Sequence, residues 1–420
     1  MSKHHRWFIC FFIFFATVLN YMNRQTLSIV APLIQQDYQL DNEQLGLLFS
    51  AFYITYGITV AVIGEVIDRV SIRISFAIAV AWWSVATALT GLAQSFAQLF
   101  GFRLMLGVGE AANWPITARL ISMYLAPKER TLANSLYMGG GSLGMVIVGP
   151  LLIWLSLRWG WRGGFVAVGA FSVVWLVGWL WWFRPRNIDH LERHDLKVES
   201  KMAASWREVV RLPRFWGLIV ASLFGNTCLY FLMNWIPPFL VQDRGFEFSM
   251  ALGAVVMVPF LGLDLGYVVS GFGVLGLERR GWSVVGSRRL VLVSSAILMS
   301  GCLALTPFAT REAVALLLLC GAAFGMAGWN SNYLCFVQEL SPRKAAAVAG
   351  LVGSAGAFAG ALSLWLVGAI SDQAGSFTPV FLLMGGLIWV ATAGILMTRE
   401  PYPHATPPPA SADALADASA

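Results

Sequence analysis

YLAPKERTLANSLYMGGGSLG, residues 124–144, has a double in ELSPRKAAAVAGLVGSAGAFAG, residues 339–360, 215 positions further on. At that shift Trp114 falls on Trp329, Pro127 on Pro342 and Gly141 on Gly356. The sequence is therefore written twice. The chain that carries the repeat has 420 residues, of which 58% are hydrophobic and only 12% charged. Its mean hydropathy is +0.69. A soluble protein has nowhere to put so much apolar surface. Runs of about 20 apolar residues, the length that crosses a bilayer, follow one another down the chain.

We read twelve spans, beginning near Trp7, Gln44, Ser75, Ala97, Ala133, Arg162, Phe215, Met250, Arg289, Ala313, Ala345 and Thr378. With the repeat, this makes an all-α membrane protein of twelve transmembrane helices in two pseudosymmetric six-helix bundles. Two related halves around a central loop mark a rocking transporter whose site lies between them. The expected domains are an N-terminal bundle over 1–184, a linker over 185–213, a C-terminal bundle over 214–399 and a disordered tail over 400–420. Within the linker, SWREVVRLPRF reads as an amphipathic helix on the membrane surface, with a plain connection as the alternative. The Pro/Ala-rich tail lacks the apolar residues to fold.

Basic residues set the orientation. Lys3, Arg6, Arg69, Arg73, Lys128, Arg130, Arg279, Arg280, Arg343 and Lys344 fall on one side, against Arg158, Arg162, Arg244 and Arg311 on the other. Both termini are thus expected in the cytoplasm. The net charge of +6 is this bias spread over many loops, and no nucleic acid is expected as a partner. The five cysteines fall within spans and none has metal-ligand spacing, so neither a metal nor a cofactor is expected. No nucleophile–base pair or phosphate loop speaks for an enzyme.

One span departs from apolar monotony. FRLMLGVGEAANWP, residues 102–115, places Arg103 and Glu110 seven apart, on one helix face two turns from each other. A charge at mid-bilayer depth costs about 3 kcal/mol on insertion scales, so such residues mark function. The first span adds Asn23 and Arg24, and the eighth adds Asp264.

Between spans two and three, GEVIDRVSIR carries Gly64, Asp68, Arg69 and Arg73. This is the G-x-x-x-D-R-x-x-x-R pattern of the major facilitator superfamily, which the chain resembles. Physically it reads as a latch of charged helix ends, paired in one state and parted in the other. LNYMNRQTLSIVAPLI in span one, RLMLGVGEAANWP in span four, LGLDLGYVVSGFG and LERRGWSV around span eight and GAISDQAGSFTPVF after span eleven extend the likeness over nearly the whole chain. Together they resemble the anion:cation symporters, and within them the bacterial hexuronate transporters. The resemblance adds Asp372, in the last of these motifs, to the gating residues.

In that family the first span reads N-Y-x-D-R, its acid serving proton coupling and its arginine the anion. Here it reads NYMNR: Tyr21 and Arg24 are kept, and Asn23 stands in the place of the acid. Glu110, beside Arg103, is then the expected proton carrier, with a permanent Arg–Glu pair that only holds helices together as the competing role. Asp264 is either a second carrier or a packing residue. If Arg24, Arg103 and Glu110 share a cavity it holds +1, or +2 once Glu110 is protonated. That suits an organic monoanion, its carboxylate gripped by planar guanidinium groups. Tyr56 corresponds to a binding tyrosine of the aldonate transporters. Asn113, Asn226, Tyr230, Asn234, Trp329, Asn330 and Asn332 are further candidates for hydroxyl recognition and ring cover; Asn226, Tyr230 and Asn234 repeat every fourth residue on one face. For each, an interhelical hydrogen bond is the competing role.

The expectation is a proton-coupled importer of a hexuronate or related sugar acid in a bacterial inner membrane, a monomer in the lipid bilayer. With one carrier, one proton would accompany one monoanion and no net charge would move. Exchange or uniport of another carboxylate (aldonate, aldarate or aromatic acid) is the alternative, and a non-transporting sensor the remote one.

Overall fold

The computed structural model describes residues 3–125, 127–183, 210–340 and 345–397, and among them every regular element is a helix. In chain order these are α1 (Lys3–Tyr38), α2 (Asn42–Arg69), α3 (Ile72–Gly91), α4 (Phe96–Glu110), α5 (Asn113–Tyr124) and α6 (Pro127–Trp182). They are followed by α7 (Pro213–Gln242), α8 (Met250–Arg279), α9 (Val284–Leu305), α10 (Glu312–Leu340), α11 (Ala345–Ala374) and α12 (Thr378–Leu396). Of the surface helix read over 205–215, residues 205–209 lie outside the described residues, while the helix breaks at Leu212 and Pro213 to Phe215 already belong to α7; the tail lies wholly outside.

Ten of these helices are long and apolar enough to cross a membrane. Two local features reconcile that number with twelve crossings. α6 is two spans joined at Gly160, whose φ of 70° lies in the left-handed region that only glycine enters cheaply. The chain folds back there: Gly164 packs on Leu152 and Ser156, and Gly169 runs beside Ser84 and Ala88 of α3. α4 and α5 are conversely one span broken in two. Pro115 has no N–H for the Ala111 carbonyl, and the helix turns at 111–112, one turn upstream.

α1 to α6 pack on one another to form one half and α7 to α12 the other. The start of α1, the end of α12 and the α2–α3 turn lie at one end of the molecule (the terminal end); Gln39 and Gly375 lie at the opposite, far end. The outer surface is lipid-like: Leu317 and Val174 are each 72% exposed, which no aqueous surface helix favours. Trp181 also points out, at 75%. Trp179 is instead fully buried, stacked on Trp175 and Phe183 with its Nε1 donating to the Arg73 carbonyl.

The halves meet along α2 with α11, α6 with α8, and α1 with α7. Small residues allow it. A Cβ on Gly46 would stand 2.5 Å from the Leu364 carbonyl oxygen, and one on Gly368 2.0 Å from that of Asn42. Of the glycines near the repeat, Gly140, Gly141 and Gly144 face Phe14, Tyr21 and Val18 of α1, and Gly356 and Gly360 face Asn226 and Tyr230. Gly139 and Gly353 face open space. Hydrogen bonds between the halves run from mid-helix, where Ser354 donates to the Gly57 carbonyl, to the far end, where Ser50 donates to the Ala361 carbonyl and Gln35, Asn42 and Gln242 form an amide triad. The molecule is closed at its far end.

Candidate functional site

Ser95 caps α4 by accepting from the Gln98 amide, and the helix descends from the far end toward the middle. Gly107 sets how close it comes to α2, since a Cβ there would be 2.3 Å from the Phe52 carbonyl. The Thr55 hydroxyl fastens the same contact by donating to the Leu104 carbonyl at 2.7 Å. Arg103 and Glu110 thereby point inward, 0% and 1% exposed.

Arg24 comes to meet them from α1, 8% exposed, and its Nε donates to Glu110 Oε2 at 3.0 Å. Three rings surround the guanidinium, with Cζ 4.8 Å from the centroid of Phe52 and 5.0 Å from those of Tyr21 and Tyr56. Arg103 lies 5.3 Å from the same Phe52 ring. Aromatic faces hold a desolvated cation without neutralising it, so Arg24 keeps its charge for a further anion.

The site has unspent hydrogen-bonding capacity. All three guanidinium nitrogens of Arg103 are buried without a partner, as are Glu110 Oε1 and Asn23 Oδ1. Asn23 itself is 0% exposed and spends its Nδ2 on the Leu19 carbonyl at 2.6 Å and the Ser172 hydroxyl at 3.0 Å. Two guanidinium groups and one carboxylate leave the site at +1. A buried charge of that kind is stable only with a partner, and a carboxylate is the kind of group that could supply one.

On the far side the site is covered from both halves. The Tyr53 ring stacks on Tyr230 at 4.1 Å between centroids, and Asn234 Nδ2 donates to the Tyr53 hydroxyl at 3.2 Å. Ser28 of α1 ties the Asn234 carbonyl at 2.6 Å. Phe52 and Tyr53 were not singled out in the sequence. Their signal was there in SAFYITYG, where Phe52 and Tyr53 stand four and three residues before Tyr56 and so share its face.

The remaining candidates are dispersed. Asn226 donates to the carbonyl and hydroxyl of Ser222, and Asn330 to the Tyr267 hydroxyl. Asn332 bonds within its own helix to the Gly328 carbonyl. Trp329 is 1% exposed, bonded to Thr392 and stacked on Tyr333 inside the C-terminal half. Asn113 is buried in the N-terminal half with Oδ1 unpartnered. Asp264 takes a hydrogen bond from Ser142 across the α6–α8 contact, and its Oδ1 is free. Arg73 donates to the Leu180 carbonyl. The side chains of Gly64, Asp68 and Arg69 lie outside the described residues. Asp372 reaches across the halves to accept from the amides of Asn42 at 3.2 Å and Glu43 at 2.8 Å. No group of three His, Cys, Asp or Glu gathers among the described residues.

The sequence profile of the Major Facilitator Superfamily matches residues 13–364. The chain is 27% identical to the hexuronate transporter of Escherichia coli strain K12 over 398 residues, covering 91% of each. It is 28% identical to the hexuronate transporter of Bacillus subtilis strain 168 over 94% of each chain. Among solved structures, a bacterial homolog of the human lysosomal transporter Spinster superposes with a TM-score of 0.71, at 21% identity and 95% coverage of both chains.

Proposed function

This chain belongs to the Major Facilitator Superfamily, and from that premise we propose a symporter that brings an organic monoanion, a hexuronate or related sugar acid, into a bacterial cell together with a proton. The superfamily moves solutes across membranes and is not a family of enzymes. The observation that carries the proposal is the Arg24–Glu110 pair: a cation and a carboxylate 3.0 Å apart, caged by aromatic rings between two halves. Protonating Glu110 releases Arg24 from its internal partner and leaves it free to grip a substrate carboxylate bidentately. Proton and anion are then each other's condition for binding. Arg103, with no hydrogen-bond partner in the protein, holds the field positive through the exchange.

The C-terminal half suits a polyhydroxylated body. Asn226 and Asn330 spend their Nδ2 groups on protein, so their carbonyl oxygens remain to accept from hydroxyls. Tyr21, Tyr56 and Tyr230 give flat faces for the apolar side of a sugar ring. The names of the relatives, hexuronate transporters, agree with that chemistry. The bias of basic residues supports cytoplasmic termini, and in that orientation the closed far end faces outward and the molecule, a monomer, stands ready to release inward. We read its division as an N-terminal bundle over 1–184 and a C-terminal bundle over 214–399, joined by a linker over 185–213. The charged 64–73 segment is the inner latch and Asp372 the outer one.

Asn23 favours a second reading. Without the family's first-span acid the carrier would exchange anions or pass them alone. Labelled glucuronate uptake into proteoliposomes separates the two, with a pH gradient alone and then a potential alone. Uptake driven by the pH gradient and indifferent to potential supports one-to-one symport. Counterflow with no response to either gradient supports exchange, and a response to potential calls for a second carrier, with Asp264 the first to test.

A further inference from the structure

We propose that Glu110, Asn113 and Thr117 form a proton route through the N-terminal half, by which Glu110 exchanges its proton with water at the terminal end. The proposal rests on Glu110 being the proton carrier.

The three residues stand at i, i+3 and i+7. Ala111 (φ −60°, ψ −24°) and Ala112 (φ −76°, ψ −19°) keep right-handed dihedrals through the α4–α5 break, so helical phase carries across it. All three face inward, at 1%, 3% and 2% exposure. Each holds a buried polar atom with no partner: Glu110 Oε1, Asn113 Oδ1 and Thr117 Oγ1. Asn20, 2% exposed and one turn below Arg24 on α1, adds an unpartnered Nδ2. α1 packs against α5, so its donor borders the same interior. Pro115 contributes too, since its missing N–H leaves the Ala111 carbonyl without a helical donor.

Folded interiors rarely leave polar atoms unsatisfied, and here three share one helix face beside apolar Ile116, Leu120 and Ile121, with a fourth on the helix packed against it. The partners small enough to enter are water molecules, each needing two or more polar neighbours. The row begins at the proton carrier and points along α5 toward the terminal end. The charges acting on Glu110 are Arg24 and Arg103, and Tyr21 and Tyr53 lie within its field. Arg24 and its rings cover Glu110, which at 1% exposure cannot pass a proton to solvent unaided.

The test is Thr117→Val, which keeps the shape and removes the hydroxyl, with Thr117→Ser as the rescue. Two modes of labelled glucuronate transport are compared in proteoliposomes. In counterflow the carrier returns loaded and keeps its proton; in pH-driven net uptake it must release one in each cycle. The route predicts that Thr117→Val slows net uptake about tenfold and enlarges its solvent isotope effect in D2O, while counterflow holds and Thr117→Ser restores the rate. A valine variant that matches the wild type in both modes overturns the route and leaves symport standing. An equal loss in both modes assigns Thr117 to packing and also overturns it. Wild-type counterflow with no pH-driven uptake would remove Glu110 as carrier, and the route with it.

Discussion

In the proposed mechanism Arg24 is the residue on which substrate binding turns. Its guanidinium holds Glu110 through Nε and lies against three rings, so lysine keeps the charge but loses the fork and the stacking. A hydrogen bond to a charged group contributes about 1.5–3 kcal/mol, so Arg24→Lys should weaken glucuronate binding by about tenfold or more. Tryptophan and tyrosine fluorescence titration of the purified protein reads this directly, and unchanged affinity would place the anion elsewhere. Asn23→Asp restores the family's acid. The new carboxyl keeps its neighbour Ser172 but meets the Leu19 carbonyl, which Asn23 now satisfies. We expect uptake by this variant to become sensitive to membrane potential; retained indifference would count against one proton per anion in the wild type. Much of this was legible. Arg24, Arg103 and Glu110 stand out because charge is rare in apolar spans. Their pairing was not, because Arg103 and Glu110 share a helix face while the hydrogen bond goes to Arg24 on another helix. Phe52 and Tyr53 were hidden for the opposite reason: an aromatic residue in an apolar helix does not announce whether it faces lipid, core or ligand.

At the scale of the helices, the far end is held by α11 against α2. Asp372 lays its carboxylate on the first two amides of α2, a favourable meeting of negative charge and helix N-terminus delivered from the other half. Asp372 is solvent-exposed, so the contact contributes only about 0.3–1 kcal/mol. Asp372→Asn should therefore raise the population open at the far end about two- to fivefold, measured by electron–electron distances between spin labels on Gln39 and Ser376. An unmoved distribution would deny Asp372 a part in the gate. The glycines make a sharper contrast. A Cβ on Gly368 would come 2.0 Å from the Asn42 carbonyl, whereas one on Gly353 meets nothing. Gly368→Ala should force the far end apart and lower uptake, and Gly353→Ala should leave this closed state undisturbed. Element positions were readable from hydropathy to within a few residues. The joining of two spans at Gly160 and the breaking of one near Pro115 were not, because both depend on single backbone positions inside apolar runs. Which repeat glycines touch a neighbour depends on helix rotation, which the sequence leaves open.

The whole molecule is two similar halves that meet most closely at the far end, with a +1 site between them. In the proposed coupling proton and anion both act at Arg24, one by discharging its partner Glu110 and the other by replacing it, so no long-range signal is needed. The rocking of the halves has only to expose this pair to one side and then the other, breaking the Tyr53–Tyr230 stack and the Asp372 contact as it does so. The measurement that tests this account most directly is proton movement itself. Glucuronate is added to weakly buffered proteoliposomes with no imposed gradient, and the external pH is followed beside labelled uptake. The account predicts external alkalinisation in step with uptake, one proton for each anion, and its loss in Glu110→Gln. Labelled glucuronate entering the wild type with no change in external pH would contradict it.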